Sequence, residues 1–128
     1  PFWRKQIAEE GVGPWVRATN LGRMGSRMTP TQLEWWAALM TRTAASTLEG
    51  FLQMVPHVDV TDEVARITAP TLVVTTTGSG LGSVDSVRAW QERIMGSRLM
   101  VLDNDSYHVA ASDPDETAAL VRDFLFAA

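Results

Sequence analysis

The sequence predicts an α/β chain in which helices come first and a βαβα portion of a parallel sheet follows. Three observations lead there. The run Pro70-Thr71-Leu72-Val73-Val74-Thr75-Thr76-Thr77 is β-branched and carries no charge, which suits a strand covered on both faces, as in a parallel sheet. Leu33, Trp36, Ala37 and Met40, and then Leu48, Phe51, Leu52 and Val55, recur at the three- and four-residue spacing of helices. Finally, an amphipathic stretch from Val84 to Ile94, with Val87, Trp90 and Ile94 on one side, separates the first apolar run from a second, Arg98-Leu99-Met100-Val101-Leu102-Asp103. Strand, helix, strand in that order is a parallel crossover, and such units are right-handed.

Taken in order, Trp3 to Glu10 is expected as a short helix broken by Gly11-Val12-Gly13-Pro14, and Trp15 to Leu21 as another. Gly22 to Met28 reads as loop. Thr29-Pro30-Thr31-Gln32 has the form of a capping box with proline at the first helical position, opening a helix to about Arg42. Ser46-Thr47-Leu48-Glu49 has the same form, and Pro56 ends the helix it opens. The character changes near Asp59, which divides residues 1–58 from 59–128. Asp59 to Ile67 is a short helical turn and Gly78 to Ser83 a flexible loop. A loop carrying Tyr107 and His108 follows the second strand. Asp113-Pro114-Asp115-Glu116 then caps a last helix, with Leu120, Val121, Phe124 and Leu125 expected inward.

Composition narrows function mostly by exclusion. With 128 residues, 45% of them apolar and 20% charged, the chain can form one globular domain with a modest core. A net charge of −4 with scattered basic residues gives no reason to expect nucleic acid or an anionic membrane as partner. No apolar run reaches the roughly 20 residues of a membrane span. Without cysteine there is no disulfide, thiolate nucleophile or cysteine-ligated zinc, and His57 and His108 sit in unrelated contexts, so neither a metal nor another cofactor is expected. The cytoplasm is the default location. Two parallel strands do not make a stable isolated sheet, so the chain is expected to be a fragment of a larger sheet or to dock on another polypeptide.

Several segments together resemble the α/β-hydrolase family, enol-lactonase- and esterase-like members above all. Ile67-Thr68-Ala69-Pro70-Thr71-Leu72-Val73 resembles the family's approach to its penultimate strand, and Arg88-Ala89-Trp90-Gln91-Glu92-Arg93-Ile94 the next helix. Arg98-Leu99-Met100-Val101-Leu102 resembles the last strand, Asp105-Ser106-Tyr107-His108-Val109 the loop presenting the catalytic histidine, and Asp113-Pro114-Asp115-Glu116 the final helix's start. The resemblance covers Asp59 to Leu125, and the helices before it are similar to the family's cap. It implies a partial α/β-hydrolase fold, with a helical cap or lid over 1–58 and the C-terminal portion of the core over 59–128. It also implies a hydrolase acting through a serine nucleophile on a small ester, enol-lactone or related acyl substrate. His108 would be general base and then acid.

Two departures shape the expectation. The G-x-S-x-G nucleophile elbow is absent, so the nucleophile and oxyanion hole would come from a complementary N-terminal hydrolase segment, and this chain alone would be inactive. The family's usual acid slot, counted from Pro70, falls at Ser79, which cannot stabilise an imidazolium as a buried carboxylate does. Asp85 reads better as a helix-start residue, Asp103 and Asp105 as turn formers, and His57 as a helix-end histidine. Trp15, Trp35, Trp36 and the methionines of the helical part read as core, with an apolar substrate pocket as the alternative. Two other functions stand beside the hydrolase. The Gly78-Ser79-Gly80-Leu81-Gly82-Ser83 loop, between strand and helix with Asp103 ending the next strand, resembles a dinucleotide-binding turn, although Ser83 replaces its third glycine. The Ser79 departure instead suits a non-catalytic binding module on a hydrolase-like frame.

Overall fold

The computed structural model describes residues 2–126. The chain divides into two compact units, one formed by residues 1–21 and 28–59 and the other by residues 22–27 and 60–128.

The first unit is built from helices: α1 (Phe2–Glu10), most of α2 (Val12–Met24), α3 (Pro30–Met40) and α4 (Ala45–Met54). Its core gathers Ile7, Val12, Trp15, Val16 and Ala37, with Trp3, Met40, Leu48 and Leu52 packed around them. The capping box before α3 forms as the sequence predicts: the Gln32 N–H donates to Thr29 Oγ1, while the Thr29 N–H donates to Gln32 Oε1 at 2.9 Å. Four expectations need correction here. The Gly11-Pro14 break shrinks to Gly11 alone, whose φ of +83° turns the chain. Gly13 and Pro14 lie inside the first turn of α2, where a missing proline N–H costs nothing. Helix α2 also continues past Leu21 through Gly22 to Met24. The second capping box does not form, because α4 starts two residues earlier, behind Ala44 with no side-chain cap. Trp35 is 63% exposed, so it is not a core residue of this unit.

The second unit carries the sheet. Strand β1 (Leu72–Thr76) pairs in parallel with β2 (Arg98–Leu102), Leu72 opposite Arg98 and Thr76 opposite Leu102. Helix α5 (Val84–Gln91) connects them and packs on both strands. Ser83 caps it by accepting the Ser86 N–H at 3.1 Å, and Asp85 lies in its first turn, where a carboxylate complements the helix dipole. The helix is three residues shorter than the predicted Val84–Ile94. Gln91 closes it by a side-chain bond to Ser97 Oγ at 2.6 Å, which folds the chain back toward β2. A four-residue helix, α6 (Val109–Ser112), follows His108, where only loop is expected from the sequence, and α7 (Pro114–Phe126) ends the described chain. Leu120 and Phe124 are half-buried, but Val121 and Leu125 are exposed at 41% and 64%, against the inward placing expected of them. Met24, from the last turn of α2, is fully buried, and Val73, Ile94 and Leu102 of this unit are buried as well.

Among the described residues the sheet has two strands, so β1 pairs along one edge only. Parallel strands of this composition are normally covered on both faces and paired on both edges. A cavity of about 300 Å³ runs beside β1, bordered by Val74, Thr76, Ser79, Trp90 and Tyr107.

Candidate active site

Both strands end at the same side of the sheet, and the loops leaving them are stitched together. The Thr77 N–H donates to the Leu102 carbonyl at 3.0 Å and the Gly78 N–H to the Asn104 carbonyl at 2.8 Å. In open α/β sheets ligands bind beyond the carboxyl ends of the strands, which is where these loops stand.

His108 sits in the loop after β2, at the N-cap position of α6. Its N–H donates to Ser106 Oγ at 2.9 Å, and its ring lies against that of Tyr107, centroids 4.8 Å apart. The imidazole is half-buried, and burial first, then the positive charge of Arg23, holds its pKa below the ordinary value. Both influences favour neutral imidazole, the form in which histidine accepts a proton. Burial raises the Tyr107 phenol, and the charge of Arg23 acts against that rise.

The carboxylates near this loop are engaged in holding it. Asp105 accepts the Ser26 N–H at 2.8 Å, and that bond holds its pKa below the usual range. Asp113 is half-buried and pairs with Arg27 at 2.8 Å; hydrogen bonds from Arg27, Ser112 and Asn104 keep it ionised despite burial. Arg27 also donates to the Asp103 carbonyl, and Asp103 Oδ1 accepts from Thr77 Oγ1 at 3.3 Å. The buried Asn104 side chain donates to Asp113, while its Oδ1 accepts the N–H groups of Asp105, at 2.6 Å, and Ser106, at 2.9 Å. The carboxylates of Asp103 and Asp105 thus tie their loop to Thr77 and Ser26, far along the chain, while the local turn bond comes from Asn104.

Ser79 and Tyr107 border the same cavity. Ser79 Oγ accepts the Leu81 N–H at 3.3 Å, a local turn contact. Gly78 has a packing reason for being glycine: a Cβ there would stand 2.9 Å from the Asp105 Cβ and 3.0 Å from its Cα. None of Gly78, Gly80 and Gly82 has a positive φ. His57 is exposed in a single 3₁₀ turn, Val55–His57, within the first unit. Sequence reading misses Arg23, Ser26 and Arg27. They lie far from His108 along the chain, in a segment whose only signal is Gly25, set at φ +78° against Asp105 and Ser106.

Comparison with known proteins bears on the whole arrangement. No family profile and no curated protein matches the sequence. Among solved structures, the chain is similar to the enol-lactonase from Burkholderia xenovorans LB400, with TM-score 0.84 and 20% identity over 95% of this chain and 48% of that one. A thermophilic esterase from Thermogutta terrifontis gives TM-score 0.80 at 17% identity, over 95% of this chain and 46% of its own. A hydrolase from Pseudomonas aeruginosa PA01 gives 0.81 at 22%, over 98% and 48%. The likeness establishes the fold: this is a partial α/β-hydrolase fold, as the resemblance of the second half implies. The chain spans about half the length of these structural neighbours.

Proposed function

We propose that this chain supplies the cap and the catalytic histidine of a serine-type α/β-hydrolase acting on a small ester, enol-lactone or related acyl compound. Residues 1–58 are the cap and 59–128 the C-terminal part of the core. His108 is the general base, taking the proton of a serine hydroxyl during attack on the acyl carbon and returning it to the leaving alcohol or enol oxygen. The observation that carries this reading is the placing of His108. It stands beyond the carboxyl end of the last strand, half-buried and biased toward its neutral form, in a fold similar to that of an enol-lactonase and an esterase.

The nucleophile and oxyanion hole come from a complementary N-terminal segment. The same segment completes the sheet, since β1 has one paired edge. The acid that orients His108 comes from that segment too, because Ser79 occupies the usual slot. The test is reconstitution. This chain, produced together with a segment bearing a G-x-S-x-G serine, is expected to hydrolyse an activated phenyl ester, and neither piece alone is. Absence of turnover from a folded, stably associated pair would favour the second reading, a binding module on a hydrolase frame, for which Ser79 is the motivating residue.

A further inference from the structure

The ends of α2 and β1 and the loop after β2 meet at one fully buried residue. Ser106 is 0% exposed. Its Oγ donates to the Arg23 carbonyl at 3.1 Å, at the end of α2, and accepts the His108 N–H at 2.9 Å. Its own N–H donates to Asn104 Oδ1 at 2.9 Å, just past β2. Its carbonyl accepts Thr76 Oγ1 at 2.8 Å, from the last residue of β1, and Thr76 is itself only 1% exposed. The hydroxyl, N–H and carbonyl of Ser106 are thus all engaged, within its own loop and with the ends of α2 and β1, and the next residue but one is His108. The neighbouring Tyr107 N–H also donates to the Arg23 carbonyl, at 3.3 Å.

We infer that Ser106 is a positioning residue for His108: its buried hydroxyl fixes the backbone from which the imidazole projects, by joining the His108 N–H to the Arg23 carbonyl at the end of α2. This rests on His108 being the general base. The physical reason is geometric tolerance. A base must stay within hydrogen-bond reach of the hydroxyl it deprotonates, and a displacement of about 1 Å can cost about 100-fold in rate. A loop fixed only at its ends does not hold that tolerance, whereas a buried hydroxyl that both donates and accepts does, because moving it breaks its bonds to the Arg23 carbonyl and the His108 N–H. Gly25 packs against the same residue, since a Cβ added there would stand 3.0 Å from the Ser106 Cβ.

The test is a double-mutant cycle in the assembled hydrolase. Ser106→Ala is expected to lower kcat by about 10- to 100-fold with KM changed less than about twofold. His108→Ala removes the base but leaves the residual rate that an oxyanion hole and binding sustain. Adding Ser106→Ala to His108→Ala is expected to lower that residual rate no further, because the hydroxyl acts only through the imidazole. An equal loss in both backgrounds, or no loss with His108 present, overturns the inference. Should Ser106→Ala not fold, Ser106→Cys carries the same cycle, its thiol being a weaker donor and acceptor of similar size, and a partial, His108-dependent loss of kcat is expected. Near-normal turnover of His108→Ala by itself would instead remove the catalytic reading of His108, an outcome distinct from any behaviour of Ser106.

Discussion

Replacing Gly25 by alanine would perturb the support of the candidate site at its tightest point. Two costs are legible. Gly25 has φ +78°, a conformation that costs an L-residue about 1–2 kcal/mol. The new methyl would also stand 2.8 Å from the Ser106 nitrogen and closer still to the Asp105 carboxylate, so the loop before His108 must shift. Overpacking of this kind costs about 1–3 kcal/mol, and the 2.8 Å bond between the Ser26 N–H and Asp105 would loosen with it. The expected total is about 3 kcal/mol, read as a fall in the urea midpoint. Gly96→Ala is the internal control. Its φ is +73°, but nothing lies within 4 Å of its added Cβ, so it should show the backbone cost alone, about 1–2 kcal/mol. Equal losses for the two variants would refute the claim that residues 22–27 are clamped against the His108 loop.

Other outcomes follow from single contacts. Thr76→Val keeps the shape of a residue 1% exposed but removes the donor to the Ser106 carbonyl; it should cost about 1–2 kcal/mol in urea, and a loss under about 0.5 kcal/mol would contradict the role given to that bond. Because burial and Arg23 depress the His108 pKa below 6.5, the unfolded chain takes up that proton first as the pH falls. The corresponding stability is present above pH 6.5 and is lost as the pH falls through that value toward the folded pKa, well above the range where Asp105 and Asp113, both lowered from 3.8, titrate. Urea midpoints measured across this window should decline more steeply for wild type than for His108→Gln, and parallel curves would refute the assignment. Arg17→Ala breaks a 2.6 Å pair with Glu34, but both side chains are more than half exposed, so no measurable change in the urea midpoint is expected.

Much of the fold was legible because its signals are local. The uncharged β-branched run marks β1, and Thr29 with Gln32 marks the start of α3 at the residue where the cap is seen. Local signals also misled. Ser46 and Glu49 imitate a capping box, yet α4 begins behind Ala44, so Ser46 falls inside the first turn. Gly13 and Pro14 look like a break, although a helix tolerates both in its first turn. His108 was legible only through its place in an ordered series of segments, since a lone loop histidine has no signature of its own. Its supports were not legible. Arg23, Ser26 and Arg27 reach the His108 loop through main-chain and ion-pair contacts spanning as many as 86 positions, and no periodicity or spacing rule connects residues so far apart. The outward face of Val121 and Leu125 on α7 likewise shows that helical spacing defines a stripe without saying whether this chain covers it.

The central claim is that His108 is the base of a hydrolytic site, and the most direct measurement is kcat/KM of the assembled hydrolase and its His108→Ala variant on an activated ester, with circular dichroism confirming that the variant is folded. The expected result is a loss of about three orders of magnitude or more with an unchanged spectrum. Near-normal turnover by a folded His108→Ala protein would contradict it.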